Sequence, residues 1–249
     1  MGEPHDVPWT GLDRAASRAG RLDRVEVKIL VPGDGLDELA ADMRVRTTGT
    51  REVYFLDTPD LDLLGQGLVV RARTAGVGAG DSVVKLRRSR PVRLPRELRR
   101  FRDLSVELDA SPSTSLWTTA VRQRLRPSVV RAAVRGREPL RTLMSAEQRR
   151  FLRMLAGTRP PLRDLRVHGP AMVTRTVGTL PGSPRRLELQ RWSCPDGSQL
   201  YEVSAKCAPS RATRTAAQIR RLLRARGIDP TAAQPTKTSA LLEAARLAR

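Results

Sequence analysis

Cationic and carboxylate side chains recur at every second position in several short runs of this chain. Arg71 and Arg73 alternate with Val70 and Ala72, and Lys85 and Arg87 alternate with Val84 and Leu86. Glu26 and Lys28 are spaced by Val25, Val27 and Ile29, while Glu107 and Asp109 flank Leu108. Near the other end, Glu202, Ser204 and Lys206 frame Val203 and Ala205, and Arg175 stands in the run 171–177. A period of two places residues i and i+2 on one face of a strand. Four cations on one face of a single hairpin repel one another unless an anion sits among them. The chemistry open to such a face is capture of an anion. A solvated outer face is the plain alternative, and one hairpin alone does not decide between them.

The charge balance points the same way. The chain has 249 residues, with 46 Lys+Arg against 26 Asp+Glu and a formal charge of +20. Such an excess implies an anionic partner: nucleic acid, a membrane surface or a phosphate-rich small molecule. Aromatics make up only 3% of residues, which leaves few platforms for stacking single-stranded bases. No run approaches the ~18 apolar residues of a membrane span, and residues 1–20 lack the apolar stretch of a signal peptide. The expectation is a cytoplasmic protein with a flexible tail over 1–20. Lysine is rare beside arginine and is confined to Lys28, Lys85, Lys206 and Lys237. Three of these four lie inside alternating runs, where a compact point charge differs from a planar guanidinium. Two separated histidines, His5 and His168, argue against a histidine metal site or triad. Cys194 and Cys207 do not face one another if a turn centres on Asp196-Gly197, so a disulfide is not expected.

The elements that must position these residues follow from pattern. Strands are predicted over 24–30, 51–56, 68–74, 82–87, 105–109, 171–177, 186–192 and 199–206. The hairpin 68–87 turns through Gly76, Gly78 and Gly80. Helical spacing is read over 36–43, over 115–134 with an interruption at Pro127, over 211–226 closed by Gly227, and over 238–248. Ser145-Ala146-Glu147-Gln148 has the form of a capping box for a helix running to about 155. Residues 87–103, with eight arginines and two prolines, read as an exposed basic loop. Which face carries Glu188 and Gln190 stays open, because the register across Asp196-Gly197 is undecided by one residue. The tail is followed by one domain over 21–249, in two loosely similar halves of about 21–140 and 141–249.

Strands with one charged and one apolar face can pack as a sandwich with charges outside. They can also close into a barrel with charges inside and helices over the apolar exterior. The stretches Val25-Glu26-Val27-Lys28, Tyr54 to Leu61, Gly67 to Arg73, Val84 to Arg87, Val106 to Asp109, Glu202 to Lys206 and Thr236-Lys237-Thr238 resemble, in order and spacing, the CYTH domain of the triphosphate tunnel metalloenzymes. The resemblance covers roughly 24–243 and implies an α+β fold: a closed antiparallel β-barrel, nominally of eight strands, with helices packed outside. It implies phosphate binding by Lys28, Arg71, Arg73, Lys85, Arg87, Arg175, Lys206 and Lys237. The metal-side carboxylates, for Mg²⁺ or Mn²⁺, would be Glu26, Glu107, Asp109 and Glu202, with Glu26 and Lys28 at the catalytic step. The implied activity is metal-dependent hydrolysis of a triphosphate or short polyphosphate. A non-catalytic polyphosphate- or nucleotide-binding module and an adenylyl cyclase are the alternatives; nucleic acid, through the arginines of 87–103 and 211–226, is not the favoured partner, and no membrane partner is expected. Two departures bear on catalysis: Arg24 stands where the family pattern Glu-x-Glu-x-Lys begins, and Ser204 stands where a second carboxylate is often found.

Overall fold

The computed structural model describes residues 12, 22–75, 79–112, 114–156, 162–181, 185–229, 238 and 242. Among the described residues, nine strands hydrogen-bond edge to edge until the sheet closes on itself. They are β1 (Arg24–Leu30), β2 (Arg44–Asp57), β3 (Leu68–Ala75), β4 (Ala79–Arg88), β5 (Leu104–Ala110), β6 (Ser115–Leu125), β7 (Arg166–Thr179), β8 (Arg186–Ser193) and β9 (Gln199–Cys207). Around the barrel the order is β1-β5-β6-β4-β3-β2-β7-β8-β9 and back to β1. Every pairing is antiparallel except β1 with β5, which run parallel with Arg24 opposite Glu107 and Glu26 opposite Asp109. The expected eight-strand antiparallel barrel is thus a nine-strand mixed one. Closure removes the unpaired edges that so many short strands would otherwise expose.

The ninth strand is a correction. Residues 115–134 were expected to be helical, but 115–125 form β6 and only Pro127–Val134 are helical. Trp117, Thr118, Thr119 and Val121 favour a pleated strand. The alternation settles it: Trp117 and Val121 pack in the outer core, while Thr118 points inward and donates to Asp109 Oδ2 at 3.0 Å. Pro127 then opens the helix at its first turn, where no N–H is needed.

The main hydrophobic core lies between the outer face of the barrel and its helical cover. Val25, Val27 and Ile29 of β1, Val70 and Ala72 of β3, and Val84 and Leu86 of β4 face outward into it. Covering them are α1 (Gly33–Ala41), the single turn α2 (Asp62–Gly65), α3 (Pro127–Val134), α4 (Ala146–Leu155) and α5 (Ala212–Arg224). The capping box at α4 forms as expected. Gln148 N–H donates to Ser145 Oγ at 3.1 Å, and Ser145 N–H donates to Gln148 Oε1 at 2.9 Å. The buried Gln148 amide also donates to the carbonyls of Val121 and Ser82, tying α4 to β6 and β4.

Asp57 closes the β2–β3 connection. Its carboxylate accepts from the Thr58, Leu63 and Leu64 N–H groups at 2.8–2.9 Å, so a break in the pattern is a built turn. The basic loop at 87–103 is held down by buried Leu94 and Leu98 and is not fully solvated. Leu12, the one described residue of the expected tail, is also buried in the core. Thr238 and Leu242 are the described residues of the last expected helix, and both have helical backbone. Lys237 and the turn residues 76–78 lie outside the described residues. Cys194 and Cys207 are free thiols. No helix among the described residues is long and apolar enough to cross a membrane.

Candidate functional site

Period-two alternation on a closed sheet sends one side chain in two to the lumen, and here those are the charged ones. Glu26, Lys28, Arg71, Arg73, Lys85, Arg87, Glu107, Arg175, Glu202 and Lys206 all line one cavity. Within the β3–β4 hairpin the four cations are staggered rather than opposed. Arg71 pairs with Val83, Arg73 with Asp81 and Val69 with Lys85. The stagger keeps the cations from direct cross-strand opposition.

On the β1–β5 side, the carboxylates and one lysine form a compact unit. Carboxylate oxygens of Glu26, Glu107 and Asp109 lie within 4.8 Å of one another, a spacing suited to a single divalent ion. Lys28 Nζ sits 3.1 Å from Glu26 Oε2 and 3.1 Å from Asp109 Oδ1. Burial alone would push the Lys28 ammonium down, but Asp109, Glu26 and Glu202 outweigh it and hold the group above the ordinary lysine range. Burial likewise works against ionised Asp109, yet Lys28, Lys85 and Arg87 keep its carboxyl below the usual range. Glu26 is lowered in the same way, burial opposing and Lys28 prevailing. Arg24 Nε approaches Glu107 Oε1 at 3.3 Å, so the residue in the place of a family carboxylate pairs with one of the trio. Glu202 lines the cavity but stands outside the trio.

The β3–β4 side is different. Burial and then the neighbouring Arg71 push the Lys85 amine well below its ordinary value. Burial and Arg73 similarly disfavour charge on Arg71, whose guanidinium nevertheless stays protonated at any working pH. The Nε atoms of Arg71 and Arg87 are buried without a hydrogen-bond partner. Arg87 also donates from Nη1 to Thr238 Oγ1 at 2.9 Å, with Nη2 3.8 Å from Asp109. Buried donors left unsatisfied are costly, and an anion placed among them would satisfy them.

At the mouth, Arg73 forms a two-point contact with Asp81, and Arg122 reaches Asp81 at 3.5 Å. Arg175 donates to Glu188 at 2.5 Å. Burial disfavours ionised Glu188, but Arg175 and Gln190 bring its carboxyl down to about 2. Glu188 pairs with Ser204 and Gln190 with Glu202, so the register across the 196–197 turn directs both residues inward. Lys206 is half exposed and 3.9 Å from Glu26.

Sequence reasoning missed four features of this lumen. Arg122 was hidden in a stretch read as helix. Arg51 carried no charged neighbour at i+2 to mark its face, although Val53 and Phe55 share it. Asp81 stands between Gly80 of the glycine-rich turn and the alternating run that begins at Ser82. The fourth is an apolar patch: Val53 and Phe55 of β2, Val173 of β7 and Trp192 of β8 line the cavity and pack in a second cluster with Val69 and Leu242. Parity with Arg51, Arg175 and Gln190 is the signal that finds it.

The fold is shared with solved proteins of low sequence similarity. A candidate adenylyl cyclase from Hippeastrum, described as having a dominant triphosphatase activity, superposes with a TM-score of 0.64 at 14% identity, over 88% of this chain and 94% of that one. A candidate adenylate cyclase from Bacillus halodurans gives 0.56 at 18% identity, over 88% and 96%. The tunnel fold expected from the CYTH resemblance is the fold this chain has. No family model matches the sequence, and no curated protein does.

Proposed function

We propose that this chain binds triphosphate or a short polyphosphate in its barrel and hydrolyses it with Mg²⁺ or Mn²⁺. The observation that carries this reading is the division of one lumen into a carboxylate trio and a set of partly buried, under-satisfied cations. Arg71, Lys85 and Arg87 would hold the phosphates, because their charges lack enough counter-charge until an anion arrives. Arg73, Arg175 and Lys206 stand further out along the same path, and Lys237 would complete the set by its position in the motif. Glu26, Glu107 and Asp109 fit a divalent ion by donor chemistry and spacing, with Glu202 adding charge nearby. Such an ion supplies Lewis-acid stabilisation of the phosphate oxygens and a more acidic water.

The protein's own groups do the remaining work. Glu26 stays ionised and orients water beside the terminal phosphorus. Lys28, held as ammonium, offsets the charge that grows on the leaving oxygen. The apolar wall of Phe55, Val173 and Trp192 excludes water and strengthens these interactions. The neighbours described as a candidate cyclase with triphosphatase activity and as a candidate cyclase support a triphosphate as the bound group.

A second reading rests on Arg24. By pairing with Glu107 it draws one carboxylate away from a metal, which favours a binding module that does not turn over. Incubating folded protein with tripolyphosphate, thiamine triphosphate and ATP under each ion, and reading orthophosphate, pyrophosphate and cyclic AMP, separates the possibilities. Metal-dependent orthophosphate release that disappears in Glu107→Ala supports hydrolysis. Calorimetric binding without products supports the module, and cyclic AMP with pyrophosphate indicates cyclase chemistry.

A further inference from the structure

Cations and carboxylates are distributed unevenly along the barrel axis. In the inner lumen four cations, Lys28, Arg71, Lys85 and Arg87, face four carboxylates, Glu26, Glu107, Asp109 and Glu202. At the mouth, Arg51, Arg73, Arg122 and Arg175 face Asp81 and Glu188, while Lys206 also reaches Glu26 at 3.9 Å. With Lys206 assigned to Glu26, two positive charges are left over at the rim. Arg51 shows the surplus most plainly: burial, Arg73 and Arg175 all disfavour its charge, against weaker help from Glu188 and Asp81.

The rim adjoins the inner lumen directly. Arg51, Arg73, Arg122, Arg175, Glu188 and Lys206 line both the lumen and the outer cavity. A triphosphate held by the inner cations and by Arg73, Arg175 and Lys206 would leave Arg51 and Arg122 without a phosphate partner. A nucleoside triphosphate would place a neutral ribose and base there, where the described lining residues include no aromatic ring to stack on. A linear chain of further phosphates brings about one negative charge per unit to that place.

Resting on the triphosphate reading above, we infer that the rim arginines form a second binding zone for the trailing phosphates of a linear polyphosphate longer than three units. Arg51 and Arg122 then set length preference, while the inner cations hold the chain end. Arg122 is replaceable without breaking the mouth, because its side chain is 53% exposed and Asp81 keeps its two-point contact with Arg73.

The test is calorimetric titration in metal-free buffer with tripolyphosphate, a longer linear polyphosphate of narrow length distribution, ATP and a 5′-triphosphorylated RNA. The wild-type protein should bind the longer polyphosphate about tenfold or more tightly than tripolyphosphate. The Arg51→Gln/Arg122→Gln variant should lose most of that ratio, with a melting temperature no lower than the wild type's as the check on folding and Arg51→Gln alone giving a partial loss. Equal affinity for the two polyphosphates, or parallel weakening of both in the variant, overturns the inference while leaving the triphosphate site standing. Binding of ATP or the RNA as tightly as the longer polyphosphate overturns it as well. If none of the four anions binds, the inference falls together with the reading it rests on.

Discussion

The two walls of the lumen handle buried lysine in opposite ways. On the β1–β5 side, Lys28 lies 3.1 Å from each of two carboxylates, and each group holds its neighbours ionised. On the β3–β4 side, Lys85 is pushed toward neutrality by burial and then by the neighbouring Arg71. The first arrangement stabilises the empty protein. The second raises its free energy until an anion arrives, and that stored difference becomes affinity. Stability and binding are thus assigned to different walls of the same barrel.

The same substitution on each wall should give opposite signs. Lys28→Met strands Glu26 and Asp109, and breaking one partner of a buried pair costs ~3–5 kcal/mol. Since Lys28 keeps 21% side-chain exposure, a loss of about 2–3 kcal/mol in denaturant unfolding is expected. Lys85→Met should instead stabilise the anion-free protein by about 1 kcal/mol, raising its melting temperature by a few degrees, because it removes a partly buried, poorly compensated cation. The same variant should weaken tripolyphosphate binding roughly 100-fold, as expected for a buried charge-assisted contact. If both lysine variants shift stability in the same direction, the contrast between the walls is wrong.

A third test concerns the mouth. Glu188 is held at about 2 against an ordinary 4.5, chiefly by Arg175 in opposition to burial. A depressed carboxyl contributes stability that is fully present above its ordinary value and disappears as pH falls through the depressed one. Unfolding free energy should therefore decline between pH 4.5 and 2 by about 2 kcal/mol on account of this residue, after discount for its partial exposure. In Glu188→Gln that part of the acid slope should be missing.

The smallest expected effect is proton uptake. Lys85 is lowered in the empty protein, so its charge is disfavoured progressively as pH rises toward the ordinary lysine range. An anion restores the ammonium, so tripolyphosphate binding should take up a fraction of a proton, read as a dependence of calorimetric enthalpy on buffer ionisation. Lys85→Met should show less uptake than the wild type.

These contrasts were only partly legible in the chain. Arg71, Arg73, Lys85 and Arg87 could be assigned to one face because alternation with valine, alanine and leucine is a local property of two strands. Which wall receives the carboxylates depends on β1 pairing in parallel with β5, some eighty residues away. Nothing local encodes that contact. Arg122 was lost because Leu116, Ala120 and the arginines after Val121 also fit helical spacing, and burial against the outer core decided otherwise. Glu188 and Gln190 depended on a one-residue choice of register, which the turn geometry at Asp196-Gly197 makes and the sequence leaves open.

The most direct test of the central claim is tripolyphosphate turnover by the purified, folded chain in Mg²⁺ and in Mn²⁺, with and without chelator. The account predicts one orthophosphate and one pyrophosphate released per molecule cleaved, abolished by chelation and by Glu107→Ala. Folded protein that releases neither product with either ion would contradict it.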